Sequence, residues 1–543
     1  MSIPAASAVD RRRGLAHPGL GWALGLLAGL AVLATLDGPG LTIDEPLDVR
    51  PGRKYVATLR AEGWRFFRPE VVDRVFRDNA EHPPLGRWLL GICSTLFEPF
   101  QVVWKGPDPT ATYVVAGRVA PAVSFGILVG LVAATASRRW GTAAGLAAGF
   151  ALFVMPRVFA HAHLGALDTF LCLFWYAALI AGESAAVSHR PLRSTLLAGL
   201  LWALTLLTKI HAWFLPLFVA SWFLLKLPKR RAIALLLVWL ATGLLGFVAL
   251  WPWLWYDGWS RLLAYLGTGV SRSSILVQYL GRVMADRDVP WHYPLFYFVA
   301  TVPPGVLLLG AVGLQAGLRS RRQDSFPLLL AAVVVFFLAL FSTRAPVYDQ
   351  ERLFLVVFPS WAMLAGLGFQ RLWQRFSGIR ARLALALFLI AQGAGVVLTI
   401  PFGLSYYNSL VGGLPGAERL GLELTYWSDP VDQALLDRLA ELAPPRARAA
   451  LVPTLYPGQG IFTTTRGLLR KGIVLGDQED SGTAEWVVVS RRSAYWPAAF
   501  RARLERGQGR MVATRSRQGV WLAAIWHFPP SEPAPPPKHP SDP

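Results

Sequence analysis

The stretch RVAPAVSFGILVGLVAATASRRWGTAAGLAAGFALFVMPRVFAHAHLGALDTF, residues 118–170, decides the fold class of this chain. It contains two apolar runs, each close to the roughly 20 residues that an α-helix needs to cross the hydrocarbon core of a bilayer. Arg138 and Arg139 separate the two runs, and the polar segment HAHLGALD follows the second. The pattern predicts two membrane-spanning helices with a basic loop at one face of the membrane and a polar junction at the other.

The composition of the whole chain agrees with this pattern. Of its 543 residues, 54% are hydrophobic and only 16% are charged, whereas soluble proteins carry about 25% charged residues. The mean hydropathy is +0.42. A soluble protein must cover its surface with polar side chains, and a disordered chain is poor in apolar residues. Both classes are therefore excluded, and two cysteines are too few for a disulfide framework.

Apolar runs of similar length recur along the chain and predict an all-α polytopic membrane protein with about eleven spans. The predicted spans lie near 20–36, 113–136, 141–159, 168–186, 194–208, 211–227, 232–251, 295–317, 325–342, 353–370 and 383–401. The two runs within 194–227 are also consistent with one long kinked helix, because polar residues interrupt them.

Arginine and lysine clusters lie in the short loops at every second connection. The positive-inside rule places these loops and residues 1–19 in the cytoplasm, so that the net charge of +20 reflects membrane orientation rather than a nucleic-acid surface. The segment 20–401 is then the membrane domain, with a long outer loop at 37–112 that contains amphipathic helices. Residues 402–527 are predicted to form a small extracytoplasmic α/β domain, and the Pro-rich tail 528–543 is predicted to be disordered.

Ionisable groups at the outer ends of the spans are the candidates for function, because charge near the hydrocarbon is costly. Asp44 and Glu45 follow the first span, and a carboxylate pair there could take a proton from a hydroxyl group or bind a cation. An ordinary solvated start of a loop is the alternative interpretation.

Three further positions could meet a phosphate. In EHPPLGRWLLG, His82 and Arg87 stand at the start of an amphipathic helix, although a helix-start signal with a snorkelling arginine gives the same pattern. Arg118 lies inside the second span and requires a partner, for which Asp168 and a lipid phosphate are the candidates. A purely structural salt bridge is the alternative.

The junction between the third and fourth spans carries His161, His163 and Asp168. These residues could ligate a metal, but a polar anchor at Asp168 with interfacial histidines is the favoured interpretation. Lys209 stands on the outer side, against the charge bias, and indicates phosphate binding or a snorkelled side chain.

The last short outer loop contains Tyr348, Glu351 and Arg352, in YDQERLFL. Phosphate binding and local salt bridges are both consistent with it. Taken together, the outer groups combine acids with several cations at the membrane interface. In such a site the cations would hold a phosphate leaving group while a carboxylate deprotonates an attacking hydroxyl.

Several motifs of the chain resemble the GT-C glycosyltransferases, and most closely the superfamily of protein O-mannosyltransferases and lipid A aminoarabinose transferases. The resemblance covers roughly residues 20–410. The motifs that carry it are TIDEP, EHPPLGRWLLG, RVAPAVSFGILVG, HLGALDTFLCLFW, ALTLLTKIHAW and YDQERLFLVVFP. The segment LSYYNSLVGGLPGAERLGLELTYWSDP, residues 404–430, also resembles a segment that follows the last span in many bacterial members.

The resemblance implies an inverting enzyme of the EC 2.4 type, a hexosyl- or pentosyltransferase, that uses a polyprenyl-phosphate sugar donor on the outer face. It implies that Asp44 is the base, with Glu45 beside it. Asp168 corresponds to the acid that begins the fourth span, and Lys209 and Arg352 correspond to cations that contact the donor phosphate. The chain has no room for the β-trefoil domain of fungal protein O-mannosyltransferases. The identity of the acceptor, which is a lipid, a glycan or a protein, therefore stays open.

The resemblance also implies a multi-pass protein of the inner or plasma membrane that takes part in protein glycosylation, lipid A modification or another process of the cell envelope. The expected partners are the lipid-linked donor, the acceptor and membrane lipids, without nucleic acid, and no essential metal or other cofactor is expected. A polytopic transporter is the main alternative, but its polar groups are expected at the bilayer midplane. A non-catalytic scaffold is the third interpretation.

Overall fold

A computed structural model describes residues 17–77, 81–105, 112–268 and 274–529. Residues 1–16, which belong to the predicted cytoplasmic N-terminus, and residues 530–543 of the predicted disordered tail lie outside the described part of the chain. The helices up to residue 399 are, in chain order, α1 (Pro18–Ala34), α2 (Glu45–Glu62), α3 (Pro69–Phe76), α4 (Leu85–Lys105), α5 (Thr112–Gly117), α6 (Val119–Trp140), α7 (Thr142–Phe153), α8 (Pro156–His161), α9 (Asp168–Ala186), α10 (Pro191–Leu206), α11 (Leu215–Lys226), α12 (Lys229–Ala249), α13 (Gly258–Thr268), α14 (Tyr293–Thr301), α15 (Pro304–Ser320), α16 (Phe326–Phe341), α17 (Val357–Arg375), α18 (Ile379–Ala391) and α19 (Ala394–Thr399).

The mostly helical class is confirmed, but the predicted count of eleven spans is not. Among the described residues, the helices long and apolar enough to cross a membrane are Thr112–Trp140, Asp168–Ala186, Lys229–Ala249 and Ile379–Thr399. A fifth span results if α14 and α15, which meet at an angle of 111°, form one broken span. A helix occupies each predicted position, but several are shorter than the apolar run around them. Chain breakers explain this: Pro156 follows the end of α7, and α10 and α11 are two helices separated at Lys209.

Small residues allow the helices to pack closely, as in other membrane bundles. Gly25 of α1 lies against Gly126 and Gly130 of α6. On the other side of the bundle, Gly313 of α15 lies against the Leu364 carbonyl of α17, where even a single added methyl group would overlap the backbone.

The first outer loop is helical because its sequence carries start and stop signals for helices. Helix α2 begins after Asp44, with Pro46 at its start and the acidic side chain of Asp48 in its first turn, where the helix dipole favours negative charge. It ends at Gly63, which has a φ of 54° and so adopts a conformation that glycine accepts without strain. Helix α4 corresponds to the amphipathic stretch predicted near 85–100 and packs against α2.

After residue 402 the chain forms α20 (Gly413–Arg419) and then a small α/β unit. The α/β unit consists, in chain order, of α21 (Gln433–Leu442), β3 (Ala449–Val452), α22 (Gln459–Thr463), α23 (Arg466–Arg470), β4 (Leu475–Gly476), β5 (Trp486–Ser490), α24 (Ala498–Glu505), β6 (Arg510–Arg517) and β7 (Val520–His527). A separate two-stranded hairpin, β1 (Leu276–Tyr279) and β2 (Arg282–Ala285), lies earlier in the chain, between α13 and α14. The sequence predicts a helix near 430–442 and, from alternating apolar residues, strands near 448–455, 485–490 and 519–527. These correspond to α21, β3, β5 and β7. The boundaries drawn for the domains, including 402–527, stay predictions.

The five strands of the C-terminal unit form one sheet in the order β4-β3-β5-β7-β6. Strand β3 is parallel to β4 and β5, whereas β7 is antiparallel to β5 and β6. Alternate side chains point to opposite faces of a strand: Val488 packs with Leu439 of α21, and Val487 packs with Phe500 of α24. Both faces of the sheet are therefore covered by helices, which explains why β5 is buried throughout and apolar up to Ser490.

The close contact between α15 and α17 gives a stability prediction. Gly313→Ala should destabilise the folded protein by about 1–3 kcal/mol, because the added methyl group overlaps the Leu364 carbonyl. Gly19→Ala in α1 is the matched control, since nothing lies within 4 Å of its added carbon. Thermal unfolding of the detergent-solubilised protein measures both. A Gly313→Ala variant as stable as the wild type would contradict the described packing.

Candidate active site

An acid and two cations meet at the outer end of α9. Asp168 is the first residue of this helix, and its side chain is buried. Lys209 donates from Nζ to Asp168 Oδ1 at 2.6 Å, and Arg352 donates from Nε to Asp168 Oδ2 at 3.4 Å. Lys209 is at this position because the turn between α10 and α11 opens the chain there into an extended conformation. Both oxygens of Asp168 are therefore occupied by cations.

Asp44 joins the same cluster through Arg352, whose Nη2 donates to Asp44 Oδ2. The two carboxylates differ in access: the Asp44 side chain is 26% exposed, while that of Asp168 is 3% exposed. Asp44 is therefore the more accessible of the two carboxylates, and Asp168 holds Lys209 and Arg352 in place. We refer to Asp44, Asp168, Lys209 and Arg352 as the catalytic cluster, after the role proposed for them below.

Arg352 is held from two further directions. Its Nη1 donates to Asp349 Oδ2 at 2.8 Å, and its guanidinium lies 4.2 Å above the ring of Trp427, a cation–π contact. Asp349 and Gln350 both have positive φ angles, of 52° and 60°. Such angles are uncommon for residues other than glycine and are held only where the surrounding contacts require them. The contacts of this loop therefore outweigh its local backbone preference.

The C-terminal unit reaches the cluster through Arg492, in the loop after β5. Arg492 donates from Nη2 to Asp349 Oδ1 at 2.8 Å and from Nη1 to the Tyr426 carbonyl. Its Nε lies 3.6 Å from an oxygen of Glu423, whose carboxyl group makes no hydrogen bond within the described chain. Burial raises the pKa of Glu423 to about 8, although Arg492 opposes the shift. Glu423 is therefore mostly protonated at neutral pH.

His82 faces the catalytic cluster from the first outer loop. Burial, together with the nearby cations of Arg87 and Lys209, holds the pKa of His82 well below its usual value. Its imidazole is therefore neutral at physiological pH. It can donate or accept one hydrogen bond there, but it adds no positive charge for binding a phosphate.

The structure does not support the predicted roles of Glu45 and Arg118. The partner of Arg118 is Glu45, and not Asp168 or a lipid phosphate: the two side chains form a bidentate pair with both distances at 2.7 Å. Arg118 also donates to three backbone carbonyls, and Glu45 also accepts from the amides of Thr42 and Gly165. Both side chains are fully buried. Glu45 has no oxygen left to accept a proton, so its geometry is that of a structural ion pair.

Arg87 is likewise committed within the protein. Its Nε donates to Asp48 Oδ1 at 3.0 Å and its Nη1 donates to the His82 carbonyl at 3.2 Å, and the side chain is fully buried. Burial raises the pKa of Asp48 to about 6, with the guanidinium of Arg87 opposing the shift. The predicted contact of Arg87 with a substrate phosphate does not fit this geometry.

Three other predicted binding residues are buried. His163 bonds to Thr35 through Nε2 and to the Phe159 carbonyl through Nδ1. Glu351 is fully buried and accepts from Arg157 at 2.8 Å. These contacts do not favour direct substrate binding by His163 or Glu351, whereas a binding role for Tyr348 stays a prediction.

A metal site at the predicted junction has no support in the geometry. His161 bonds to the Tyr426 hydroxyl through Nε2, while His163 turns to a different pair of partners. Among the described residues, no three His, Cys, Asp or Glu side chains gather as metal ligands. The expectation that no metal is essential stays a prediction.

Sequence reasoning missed four residues of the site: Asp48, Arg157, Glu423 and Arg492. Arg157 could have been found, because it is a charged residue within an apolar run near the outer face. Glu423 lies within the segment 404–430 that carries part of the resemblance. Arg492 gives no signal, because it is one of many arginines in a polar domain.

Comparison with known proteins agrees with this fold. The family model described as dolichyl-phosphate-mannose-protein mannosyltransferase matches residues 81–256. The structure of ArnT from Cupriavidus metallidurans bound to undecaprenyl phosphate aligns with 93% of this chain and 97% of its own, at 16% identity and a TM-score of 0.50. Its apo state aligns with 94% and 98%, at the same identity and TM-score. No curated protein sequence matches the chain.

An archaeal oligosaccharyltransferase, AglB from Archaeoglobus fulgidus in complex with an inhibitory peptide and a dolichol-phosphate, is less similar. It aligns with 93% of this chain and 74% of its own, at 12% identity and a TM-score of 0.45. The chain therefore has the fold of a multi-pass membrane protein and shares it with ArnT over most of both chains. Residues 81–256 match the mannosyltransferase family model, which agrees with the resemblance that the motifs of this part of the chain carry.

The two adjacent acids at the start of α2 should differ in their effect on stability. Glu45→Gln should destabilise the protein by about 3–5 kcal/mol, because it leaves the buried guanidinium of Arg118 without its counter-charge. Asp44→Asn should change stability by less than about 1 kcal/mol, since Asp44 is partly exposed. Thermal unfolding in detergent compares the two variants. Equal effects would contradict the division into a structural and an accessible acid.

Arg492 and its neighbour Arg491 provide a second matched pair. Arg492→Ala should cost about 3–5 kcal/mol, because Asp349 loses one of its two buried cations. Arg491→Ala should cost less, about 1 kcal/mol, because its pair with Glu418 is partly exposed, although it also loses a hydrogen bond to the Trp521 carbonyl and a contact with the Trp521 ring. Chemical unfolding of the full chain measures both. If the two variants are equally stable, Arg492 does not tie the C-terminal unit to the cluster.

Proposed function

We propose that this protein is an inverting glycosyltransferase that moves a sugar from a polyprenyl-phosphate donor to an acceptor hydroxyl on the outer face of the membrane. The observation that carries the proposal is the catalytic cluster, in which an accessible carboxylate lies beside two buried cations. A phosphate leaving group needs the cations, and an attacking hydroxyl needs the carboxylate. The acceptor, which is a lipid, a glycan or a protein, and the hexosyl or pentosyl nature of the sugar stay open.

Asp44 is the general base in this proposal. The acceptor oxygen attacks the anomeric carbon, the bond from that carbon to the phosphate oxygen breaks, and the acceptor proton passes to Asp44. One displacement of this kind inverts the anomeric centre. Asp44 suits the role because its side chain is partly exposed, while Asp168 has both oxygens occupied by Lys209 and Arg352.

Lys209 and Arg352 bind the donor phosphate. Arg352 donates to Asp44, so a phosphate that binds Arg352 competes with Asp44 for the same guanidinium. Donor binding would therefore draw Arg352 away and release Asp44 to accept a proton. Base activation and donor binding are coupled in this way, which keeps Asp44 paired until a substrate is present. The undecaprenyl phosphate bound to ArnT supports a lipid phosphate of this kind as the donor.

The orientation follows from the arginine clusters of the alternate loops. The N-terminus is cytoplasmic, and the catalytic cluster and the C-terminal unit face outward from the inner or plasma membrane. A donor attached to a lipid needs no nucleotide site, and none of the roles proposed here requires a metal. A transporter is less well supported, because the charged groups meet at helix ends and in loops, as at the start of α9.

The proposal is tested in a strain that lacks the protein. Mass spectrometry should find accumulated lipid-linked sugar and a missing outer-surface glycan, which together identify donor and acceptor. When the Asp44→Asn variant is expressed in this strain, it should not restore the glycan. Its transfer rate should be at least about 100-fold lower than that of the wild type, while the protein still binds the donor. An active Asp44→Asn protein would overturn the assignment of the base.

Lys209→Ala is the contrasting variant for the same assay. It should raise the donor concentration required for transfer more than it slows transfer at saturating donor, because Lys209 contacts the phosphate and not the acceptor. Arg491→Ala, on the C-terminal unit and outside the catalytic cluster, should leave transfer unchanged and controls for general effects of removing a cation.

A further inference from the structure

Glu423 is a buried acid to which the proposed reaction gives no role. Its side chain is 1% exposed, and neither of its carboxyl oxygens makes a hydrogen bond within the described chain. Its backbone is fixed, because the Glu423 carbonyl accepts from Gln350 Nε2 at 2.7 Å and from the Tyr407 hydroxyl at 2.6 Å. A buried polar group without a partner costs free energy, so this carboxyl group indicates a function other than stabilising the fold.

Arg492 lies between two acids, Glu423 and Asp349. Its Nη2 donates to Asp349 Oδ1 at 2.8 Å. Its Nε makes no hydrogen bond with the described residues and lies 3.6 Å from Glu423 Oε1, slightly beyond hydrogen-bond distance. A small movement of the guanidinium toward Glu423 closes this gap and weakens the contact with Asp349. The two acids therefore compete for Arg492.

Asp349 connects this competition to the catalytic cluster. Its Oδ2 accepts from Arg352 Nη1 at 2.8 Å, while its Oδ1 accepts from Arg492. The side chains of Asp349, Arg352 and Arg492 are at most 10% exposed, so water and salt screen their charges weakly. If Arg492 moves away from Asp349, the carboxylate of Asp349 attracts Arg352 more strongly. Arg352 is the cation to which the proposed function assigns the donor phosphate.

The charge of Glu423 changes with pH. Burial raises the pKa of its carboxyl group to about 8; Arg492 and Arg157 oppose the shift, and the charge of Asp349 adds to it. The other titratable groups that face Glu423 are tyrosines of α14, of the segment before α20 and of the loop after β5, namely Tyr293, Tyr297, Tyr407 and Tyr495. Phenols are neutral up to about pH 10, so these residues do not compensate the charge that Glu423 acquires when it loses its proton.

We propose that Glu423 is a positioning residue for Arg352 and that its ionised form lowers the affinity of the site for the donor phosphate. Neutral Glu423 leaves Arg492 bound to Asp349. Ionised Glu423 draws Arg492 Nε into a charge-assisted hydrogen bond. Asp349 then holds Arg352 more tightly, and a phosphate competes less well for the same guanidinium. This inference rests on the proposed binding of the donor phosphate by Arg352.

Binding of undecaprenyl phosphate to the purified full chain in detergent tests the proposal at about pH 7 and about pH 9.5. Glutamine has the shape of a neutral glutamic acid but no proton to lose. Glu423→Gln should therefore bind as the wild type does at the lower pH, and about fivefold or more tightly than the wild type at the higher pH. Comparison at the same pH cancels the titration of the phosphate itself. Glu418→Gln is the matched control, because Glu418 pairs with Arg491 outside the catalytic cluster, and it should follow the wild type at both pH values.

Chemical unfolding measures the titration of Glu423 without a donor. The folded carboxyl group keeps its proton up to about pH 8, whereas the unfolded one releases it near its ordinary pKa of about 4.3. The folded wild type therefore binds one more proton between these values and loses stability as the pH rises through them. Glu423→Gln lacks this loss, so it should gain stability relative to the wild type from about pH 5 to about pH 8. Above about pH 8 the difference should stay constant.

The outcomes separate this inference from the proposed function. If the wild type and Glu423→Gln bind undecaprenyl phosphate equally at the higher pH, Glu423 does not position Arg352, although the proposed function stands. The same conclusion follows if the difference in stability between the two proteins does not change with pH. If the wild type binds no undecaprenyl phosphate at either pH, both the inference and the proposed function are overturned.

Discussion

The buried guanidinium of Arg352 is the interaction on which the rest of the site depends. It binds the carboxylates of Asp44, Asp168 and Asp349, which come from the first outer loop, from the start of α9 and from its own loop. Charges removed from water are costly unless they are paired. Together with Lys209 and Arg492, which pair with two of these carboxylates, Arg352 makes three cations against three carboxylates, so that the charges of this group balance. Its geometry therefore fixes where separate parts of the chain meet.

Two ion pairs at the start of α2 show how similar residues take different roles. Glu45 and Arg118 satisfy each other and the neighbouring backbone completely, and water has no access to them. Asp44 and Arg352 are paired, but Asp44 keeps a quarter of its surface open. A saturated pair resists any competing ligand, whereas an open pair can exchange one partner for a phosphate. Adjacent acids in the sequence thus separate into a saturated buried member and an accessible member, because only Glu45 is fully enclosed by the protein.

Local sequence patterns predicted the helical class, the α/β elements of the C-terminal unit and the residues Asp44, Asp168, Lys209 and Arg352, which the structure brings together. Hydropathy alone overestimated the lengths of the spans, because prolines and polar turns end several helices early. It also could not pair Arg118 with Glu45, which is 73 residues distant. Pairing across such distances depends on packing, and no local pattern encodes it.

The C-terminal unit is part of the same ionic structure. Arg492 connects the loop after β5 to Asp349, and the Gly40 amide, four residues before Asp44, donates to the Asp429 carbonyl at 2.8 Å. Trp427 covers the face of Arg352. Moving the unit away would expose the ring and leave Asp349 with one cation fewer, which the burial of this site makes costly. The unit therefore helps to hold Arg352 and Asp349 in the positions that they occupy beside Asp44.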